Sequence, residues 1–203
     1  MTIDIGNILI NQFVTLPWVD KYAGVVKIMS FSDKNKDGKQ VIKKFPAVCT
    51  LTPQDCSEGR YLDLCPDSKK KSVMFLEDNG LRFVRQEGRH YSFKASFNHV
   101  LWLNIPLLKV NECSYSSLAT IGMLKKLPVT PFQSSIYQRI KINYTGQVSS
   151  SINPFAKYTF DESISQYLIF PYDYVVSTFE VDFMVSKDCI QIPDILSDSC
   201  ITK

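Results

Sequence analysis

The pattern Asp33-x-Asn35-x-Asp37-Gly38 is the clearest arrangement of ligand-type side chains in the chain. It matches the first half of a calcium-binding EF-hand loop, in which oxygen ligands at positions one, three and five converge on the ion. Position twelve of such a loop is a bidentate glutamate but is Lys44 here, and the flanks are typical of strands rather than helices. We therefore interpret this segment as a protruding hairpin that binds no calcium.

The two histidines and the cysteines are the other metal-type residues. His90 and His99 are nine residues apart on or near one predicted strand, and this odd spacing places them on opposite faces. A zinc site would have to combine His90 with Cys49, Cys56 and Cys65. Six and eight residues separate these cysteines, which does not match the short cysteine pairs that chelate zinc tightly. We predict no metal site and no cofactor.

The six cysteines predict mostly buried thiols in a reducing cytoplasm, although their even number would permit disulfides in an exported chain. The N-terminus lacks a basic region followed by an apolar run, and no stretch approaches the ~18 apolar residues that span a bilayer. We therefore expect no membrane association. The cysteines are Cys49, Cys56, Cys65, Cys113, Cys189 and Cys200.

No motif for nucleophilic catalysis or phosphate binding is present, since the chain lacks G-x-S-x-G, a P-loop and GxGxxG. Glu180 and Asp182 share one side of a predicted strand, as an acid/base pair would, but a solvated polar face explains them better. We predict a protein that is not an enzyme. A diverged hydrolase remains open, because catalytic groups converge from distant positions.

Charge and aromatic content bear on binding. The net charge is +3, from 23 basic and 20 acidic residues, which argues against sequence-specific nucleic-acid recognition. Lys69, Lys70 and Lys71 are interpreted as a solvated loop. A stacking platform for sugars or single-stranded nucleic acid is one interpretation of four aromatic residues, although core or interface positions are commoner for such side chains. These residues are Trp18, Trp102, Tyr172 and Tyr174.

Strands dominate the predicted elements of the first half of the chain. Residues 22–32 and 40–49 predict one hairpin, and residues 50–71 a long loop with a short strand at 60–64. Residues 72–77 and 81–86 predict a second hairpin, because Asn79-Gly80 supplies the positive φ angles of a type I′ turn. A tight connection at Glu87-Gly88 leads into a long strand over 89–105.

The second half carries the principal predicted helix, over residues 114–127, with Leu118, Ile121, Met123 and Leu124 near helical spacing. Further predicted elements are strands at 135–148 and 172–185, a loop at 149–158 and a short helix at 161–168. The predicted fold class is α+β: a largely antiparallel β-sheet with the 114–127 helix packed on it. We predict one domain over residues 1–203.

The segments SFKASFNHVLWLNIPLL, ECSYSSLATIGMLKKL and LIFPYDYVVSTFEVDFMV, the last with its KDC ending, carry a family resemblance. Their aromatic and apolar patterning, from about Arg89 to Cys189, resembles neck and tail ring proteins of crAss-like and related Bacteroidetes tailed bacteriophages. This resemblance implies a small α+β subunit of the head-to-tail connector or tail.

Several partners follow from the same resemblance. It implies homo-oligomeric rings that contact the portal and other connector or tail subunits, in a virion assembled in the host bacterial cytoplasm. The alternative is a non-catalytic, β-rich ligand-binding module for carbohydrate or adhesion, to which the aromatic residues and the polar loops at 50–71 and 146–158 would contribute.

Overall fold

The computed structural model describes residues 1–34, 37–49, 61–109, 115–148, 153–159 and 166–189. The fold class is α+β and mostly β, as expected from the sequence. The helices are α1 (Thr2–Ile10), α2 (Ile105–Leu108) and α3 (Tyr115–Leu124). The strands are β1 (Lys21–Val25), β2 (Lys27–Lys34), β3 (Gln40–Cys49), β4 (Tyr61–Asp63), β5 (Ser72–Glu87), β6 (His90–Asn104), β7 (Phe132–Ser134), β8 (Tyr137–Gln147) and β9 (Tyr172–Ser186).

Six strands form the larger sheet, in the order β1-β5-β6-β9-β8-β7. Every pairing is antiparallel except that of β1 with β5. The prediction of a long strand at 172–185 is confirmed, because β9 lies between β6 and β8. Its alternation places four apolar side chains in the core, namely Phe179, Val181, Phe183 and Val185.

The predicted strand over 22–32 is divided between two sheets, which corrects the first hairpin. Its first part is β1, parallel to β5, and the backbone N–H of Val26 donates to Leu76 O at 2.9 Å. The chain then leaves the large sheet, and β2 pairs with β3 in a three-stranded sheet of order β2-β3-β4. The hairpin itself is confirmed for β2 and β3. Local β-propensity did not distinguish one strand from two.

The predicted hairpin at Asn79-Gly80 is wrong, because β5 runs through it without turning. Asp78 pairs with Phe97 and Gly80 with Ser96, so Asn79 is the extra residue of a β-bulge. Gly80 has φ +115°, and its N–H donates to Asp78 Oδ1 at 2.8 Å. Asn-Gly therefore provides the positive φ for a bulge instead of a turn. The tight connection at Glu87-Gly88 is confirmed as the link to β6.

Substituting Gly80 with alanine is expected to cost about 1–3 kcal/mol of unfolding free energy, because only the positive φ opposes a Cβ at this open position. Gly122, inside α3, is the matched control, since a Cβ there also meets nothing within 4 Å. Gly122→Ala is expected to stabilise the protein by up to about 1 kcal/mol. Urea unfolding measures both, and equal effects of the same sign would contradict this account.

One face of the large sheet is covered by two helices. α3 lies within the predicted 114–127 helix, with Ala119, Thr120 and Met123 buried, whereas the predicted core residues Leu118 and Ile121 are exposed. α1 lies where the sequence predicts no helix. It packs on β1, β5 and β6 through four buried apolar residues, namely Ile5, Leu9, Ile10 and Phe13 just after its end.

The opposite face of the sheet carries a second apolar cluster. Trp102, Phe75 and Val100 project into it, and the segment at 153–159 covers it with Phe155 and Tyr158. Glu77 fixes this segment, since one carboxylate oxygen accepts the Tyr158 hydroxyl at 2.8 Å and the other pairs with Lys157 at 2.6 Å. Residues 153–158 of the predicted loop therefore complete this apolar cluster. Residues 149–152 lie outside the described residues.

Three smaller predictions have clear outcomes. The predicted strand at 135–148 corresponds to β8, preceded by the short β7 and a turn in which Ser135 has φ +51°. The short strand at 60–64 corresponds to β4, with residue 60 outside the described part. Of the helix predicted at 161–168, the described part is a 3-10 turn at Gln166–Leu168.

Candidate functional site

The second half of β5 is an open sheet edge. β1 pairs with β5 only between Val73 and Leu76, and beyond that point β5 has a single neighbour, β6. Burial follows this change, since residues 72–76 are buried and residues 78–86 are all exposed. The backbone N–H and C=O groups on the outer side of this half therefore have no strand partner among the described residues, and such an edge is a template for pairing with another chain.

Three large apolar side chains lie on this open edge: Leu81, Phe83 and Val84. Phe83 is 54% exposed and contacts Phe93 edge-on, with ring centroids 5.8 Å apart. Phe93 in turn stacks on Phe183 of β9, which contacts Tyr137 of β8. Phe83 is thus the exposed end of an aromatic row that crosses four strands. Apolar contact and backbone pairing are available at the same place, as strand addition requires.

Glu180 and Asp182 lie on the same side of β9 but are both engaged by Lys94 of β6. Lys94 Nζ lies 2.6 Å from Glu180 Oε2 and 3.6 Å from Asp182 Oδ1. The hydrogen bond to Glu180 raises the pKa of Lys94, and Asn143 Nδ2 donates to Asp182. The two carboxylates are therefore compensated charges on a partly solvated face, in agreement with the solvated-face interpretation.

The EF-hand-like segment is an exposed β-hairpin whose first carboxylate is already bonded. Asp33 Oδ2 pairs with Lys43 Nζ at 2.6 Å, and Asp33 Oδ1 accepts the Lys34 N–H. The hydrogen bond from Lys43 lowers the pKa of Asp33. Asn35 lies outside the described residues, and Gly38 has φ +75° near the tip. Asp33 therefore stabilises the pairing of β2 with β3 and the adjoining turn.

The two histidines are far apart and in different surroundings. Both lie on β6, and nine residues of strand span about 30 Å. His90 is half-buried at the start of the strand, whereas His99 is fully buried against the rings of Phe13 and Phe179. Burial lowers the pKa of His99 to about 3. Among the described residues, neither ring nitrogen of His99 has a hydrogen-bond partner, and the same holds for the hydroxyl of Ser177, directly opposite.

The expectation of thiols is wrong for Cys49, which takes part in a disulfide bond at the end of β3. Cys65 and Cys189 are present as thiols. Cys56, Cys113 and Cys200 lie outside the described residues. Within the described ranges, no group of three or more His, Cys, Asp or Glu side chains could hold a metal ion.

The four aromatic residues weighed as a stacking platform are buried or half-buried and pack within the protein. Trp102 is fully buried, donates its indole N–H to Tyr167 O at 2.6 Å and stacks on Tyr172 with centroids 5.3 Å apart. Tyr174 contacts Phe155, and Trp18 packs half-buried against the other cluster. These residues therefore belong to the core, the commoner of the two uses weighed. Lys69–Lys71 form part of the loop before β5, where Lys71 N donates to Asp20.

An apolar turn stands out next to this aromatic stack. Ile169 and Phe170, between the 3-10 turn and β9, are 65% and 88% exposed. The turn is closed by the Tyr172 N–H, which donates to Ile169 O at 3.1 Å. We call these two residues the apolar turn. Sequence reasoning missed it because Ile169 and Phe170 resemble core residues in type.

An open cleft of about 560 Å³ lies between α1, β1 and the three-stranded sheet. Gly24 of β1 shapes it, since a Cβ there would lie 2.1 Å from Asn7 Oδ1 and would displace that side chain. Most of the lining is apolar or small: Ile3, Ile10, Tyr22, Ala23, Gly24, Val25, Met29, Ala47, Val48 and Cys49; Asn7, Asn11 and Lys27 are the polar members.

Comparison with known proteins identifies no relative. No protein-family model, no curated protein and no solved structure matches the chain. Among the described helices, none has the length and apolar character needed to span a bilayer.

Proposed function

We propose that this chain is a structural, non-catalytic subunit of a tailed-bacteriophage particle that forms homo-oligomeric rings in the head-to-tail connector or tail. The observation that carries the proposal is the open half of β5, where an unpaired backbone edge coincides with exposed Leu81, Phe83 and Val84. Soluble monomers protect such edges by charge, proline, β-bulges or a covering segment. The register shifts of β5 at Asn79 and Val84 leave its apolar side chains exposed. A neighbouring copy provides that cover, and cyclic assembly provides it for every copy.

The polar residues of the edge are consistent with assembly. Arg85 pairs with Glu87 on the same strand, and Asp78 bonds the bulge backbone, so these charges are partly compensated within the chain. Arg82 of this half has no ion pair among the described residues, and the other positions of the edge are apolar, uncharged or partly compensated. Together with the family resemblance over residues 89–189, this supports a subunit whose function is contact with copies of itself and with neighbouring virion proteins, including the portal.

The carbohydrate-binding alternative loses its main support, because the residue at the centre of its platform, Trp102, is buried and hydrogen-bonded. A platform for sugars requires an exposed ring face. We therefore retain the assembly proposal as the function that the surface supports best.

The double variant Leu81→Lys/Phe83→Lys is expected to abolish self-association, because two charges would have to be desolvated at the paired edge. Native mass spectrometry and mass photometry of the purified protein measure the change. Val129→Lys is the matched control, since Val129 is 99% exposed and lies outside β5.

The expected result is a ring-sized species for the wild type and the control and a monomer for the double variant. Circular dichroism should show that all three are folded, because the substituted side chains are exposed. A wild-type chain that stays monomeric at all concentrations and never appears in purified virions would overturn the proposed function.

A further inference from the structure

We infer that the apolar turn of one copy inserts into the cleft of the next copy, so that the ring is built by one repeated, head-to-tail contact. This inference rests on the proposed function and identifies the partner of the cleft as a second copy of this chain. The turn is Ile169 and Phe170, and the cleft is the cavity between α1, β1 and the three-stranded sheet.

The apolar turn has the properties of an inserted element. Phe170 is 88% exposed, so its side chain contributes almost nothing to the core of its own chain. The turn is nevertheless held at both ends by Trp102. Its ring stacks on Tyr172, which follows the turn, and its indole N–H donates a hydrogen bond to the backbone oxygen of Tyr167, which precedes the turn. Because these contacts hold the backbone of the turn, insertion orders the Phe170 side chain and not a whole loop, which limits the entropy cost of binding.

The cleft matches this turn in size and chemistry. Its volume of about 560 Å³ lies in the range of sites that enclose small ligands, and two apolar side chains are ligands of that size. Met29, Val48, Ile10 and Val25 present apolar surface from four different elements. Apolar side chains from the partner would replace water against this lining, which is the main source of association free energy.

The charges beside the two surfaces are complementary. Lys27 lines the cleft and has no ion-pair partner among the described residues. Asp173, three residues after Phe170, accepts hydrogen bonds from the backbone N–H groups of Ser116 and Tyr174 and has no ion-pair partner among the described residues. A copy whose apolar turn enters the cleft brings a carboxylate toward an unpaired ammonium group, which favours this docking over competing orientations.

The location of the two surfaces determines the type of assembly. The cleft lies beyond β1, at one edge of the large sheet, whereas the apolar turn precedes β9, with β5 and β6 between them in the sheet. Two different surfaces that recognise each other make a heterologous contact, and repetition of such a contact closes a ring when the rotation allows it. The open edge of β5 lies on the same side of the sheet as the cleft, so the neighbouring copy that fills the cleft is also the copy that covers this edge, and both surfaces belong to one contact.

Two single variants and their mixture test this arrangement in the full chain. Phe170→Ser removes the inserted side chain, and Met29→Arg places a charge in the cleft. Phe170→Ser is expected to weaken association by roughly tenfold to a hundredfold, the value of one fully buried Phe side chain, and Met29→Arg by at least as much, because docking would then bury a charge. In a one-to-one mixture, the intact cleft of the first variant and the intact apolar turn of the second form a single junction, so native mass spectrometry should show a two-chain species and no ring.

Position-specific cross-linking identifies the surface directly. A photo-reactive benzoyl-phenylalanine at position 170 should cross-link, between copies, to residues of α1, β2 or β3 that line the cleft, while the same group at position 129 should not. Val129→Ser, at an equally exposed position, should assemble like the wild type.

The failure of this inference differs from the failure of the proposed function. If Phe170→Ser forms rings at the same protein concentrations as the wild type while Leu81→Lys/Phe83→Lys does not, or if cross-links from position 170 fall outside the cleft, the inference is overturned and the proposed function stands. A wild-type chain that never self-associates overturns both. A thermal unfolding midpoint of Met29→Arg close to that of the wild type shows that its effect is on docking and not on folding.

Discussion

His99→Leu is expected to remove most of the acid sensitivity of this protein. Burial lowers the pKa of His99 to about 3 in the folded state, compared with 6.5 in the unfolded chain. Between these values the unfolded chain binds a proton that the folded protein does not, so stability is complete above pH 6.5 and decreases as the pH falls toward 3. The full effect is on the order of 5 kcal/mol, comparable with the whole stability of many domains.

Leucine at this position has no proton to bind and a similar size, so the variant should lose that pH dependence. At neutral pH its stability should equal or exceed that of the wild type by about 1 kcal/mol, because two unpaired ring nitrogens are removed from the core. Urea unfolding over a pH series measures both effects.

His90→Gln is the control for this pH series, because it removes the only other histidine, which is half-buried at the start of β6. It is expected to leave the acid sensitivity in place. Parallel loss of stability with falling pH in the wild type and in His99→Leu would contradict the assignment of acid sensitivity to His99.

Trp102→Ala is expected to cost about 3–5 kcal/mol of unfolding free energy, the usual range for a large aromatic side chain removed from a core. The loss includes the stacking on Tyr172 and the hydrogen bond to Tyr167 O. Trp102→Phe separates these contributions, because it retains a ring but leaves the Tyr167 carbonyl without its indole donor, at a cost of about 1–3 kcal/mol.

Trp18→Phe is the matched control, since Trp18 is only half-buried, and about 1 kcal/mol or less is expected from it. Denaturant midpoints with an unchanged m-value measure the three variants. A Trp102→Ala protein of wild-type stability that has lost binding on a glycan array would restore the carbohydrate-binding alternative.

Strand positions were largely predictable from the sequence, and the pairing between strands was not. β9 and β6 were found because alternating apolar residues face a core, a local property with period two. The sequence predicts two strands in place of β5, because Asn-Gly is typical of both a hairpin turn and a β-bulge. Only the pairing with residues of β6 distinguishes the bulge from the turn. The exit of the chain from the large sheet at Val26 similarly depends on contacts with residues fifty positions away.

Most residues of the candidate site could not be predicted from the sequence, because their exposure depends on tertiary structure. Phe83 and Phe170 are exposed, but residue type alone predicts burial for both. Their exposure follows from tertiary structure: β1 ends too early to cover β5, and the apolar turn projects from the aromatic stack. Asp33 was interpretable from sequence, because the missing glutamate at Lys44 is a local feature.

The continuity of β5 also has a mechanical consequence. One half of this strand, residues 72–76, is embedded in the core, and the other half carries the open edge. A tensile force that a neighbour applies along the exposed half acts on the whole antiparallel pairing of β5 with β6, from Ser72 to Glu87, and loads its hydrogen bonds together in shear rather than one after another. The strand can therefore transmit tension between its open edge and the core of the protein.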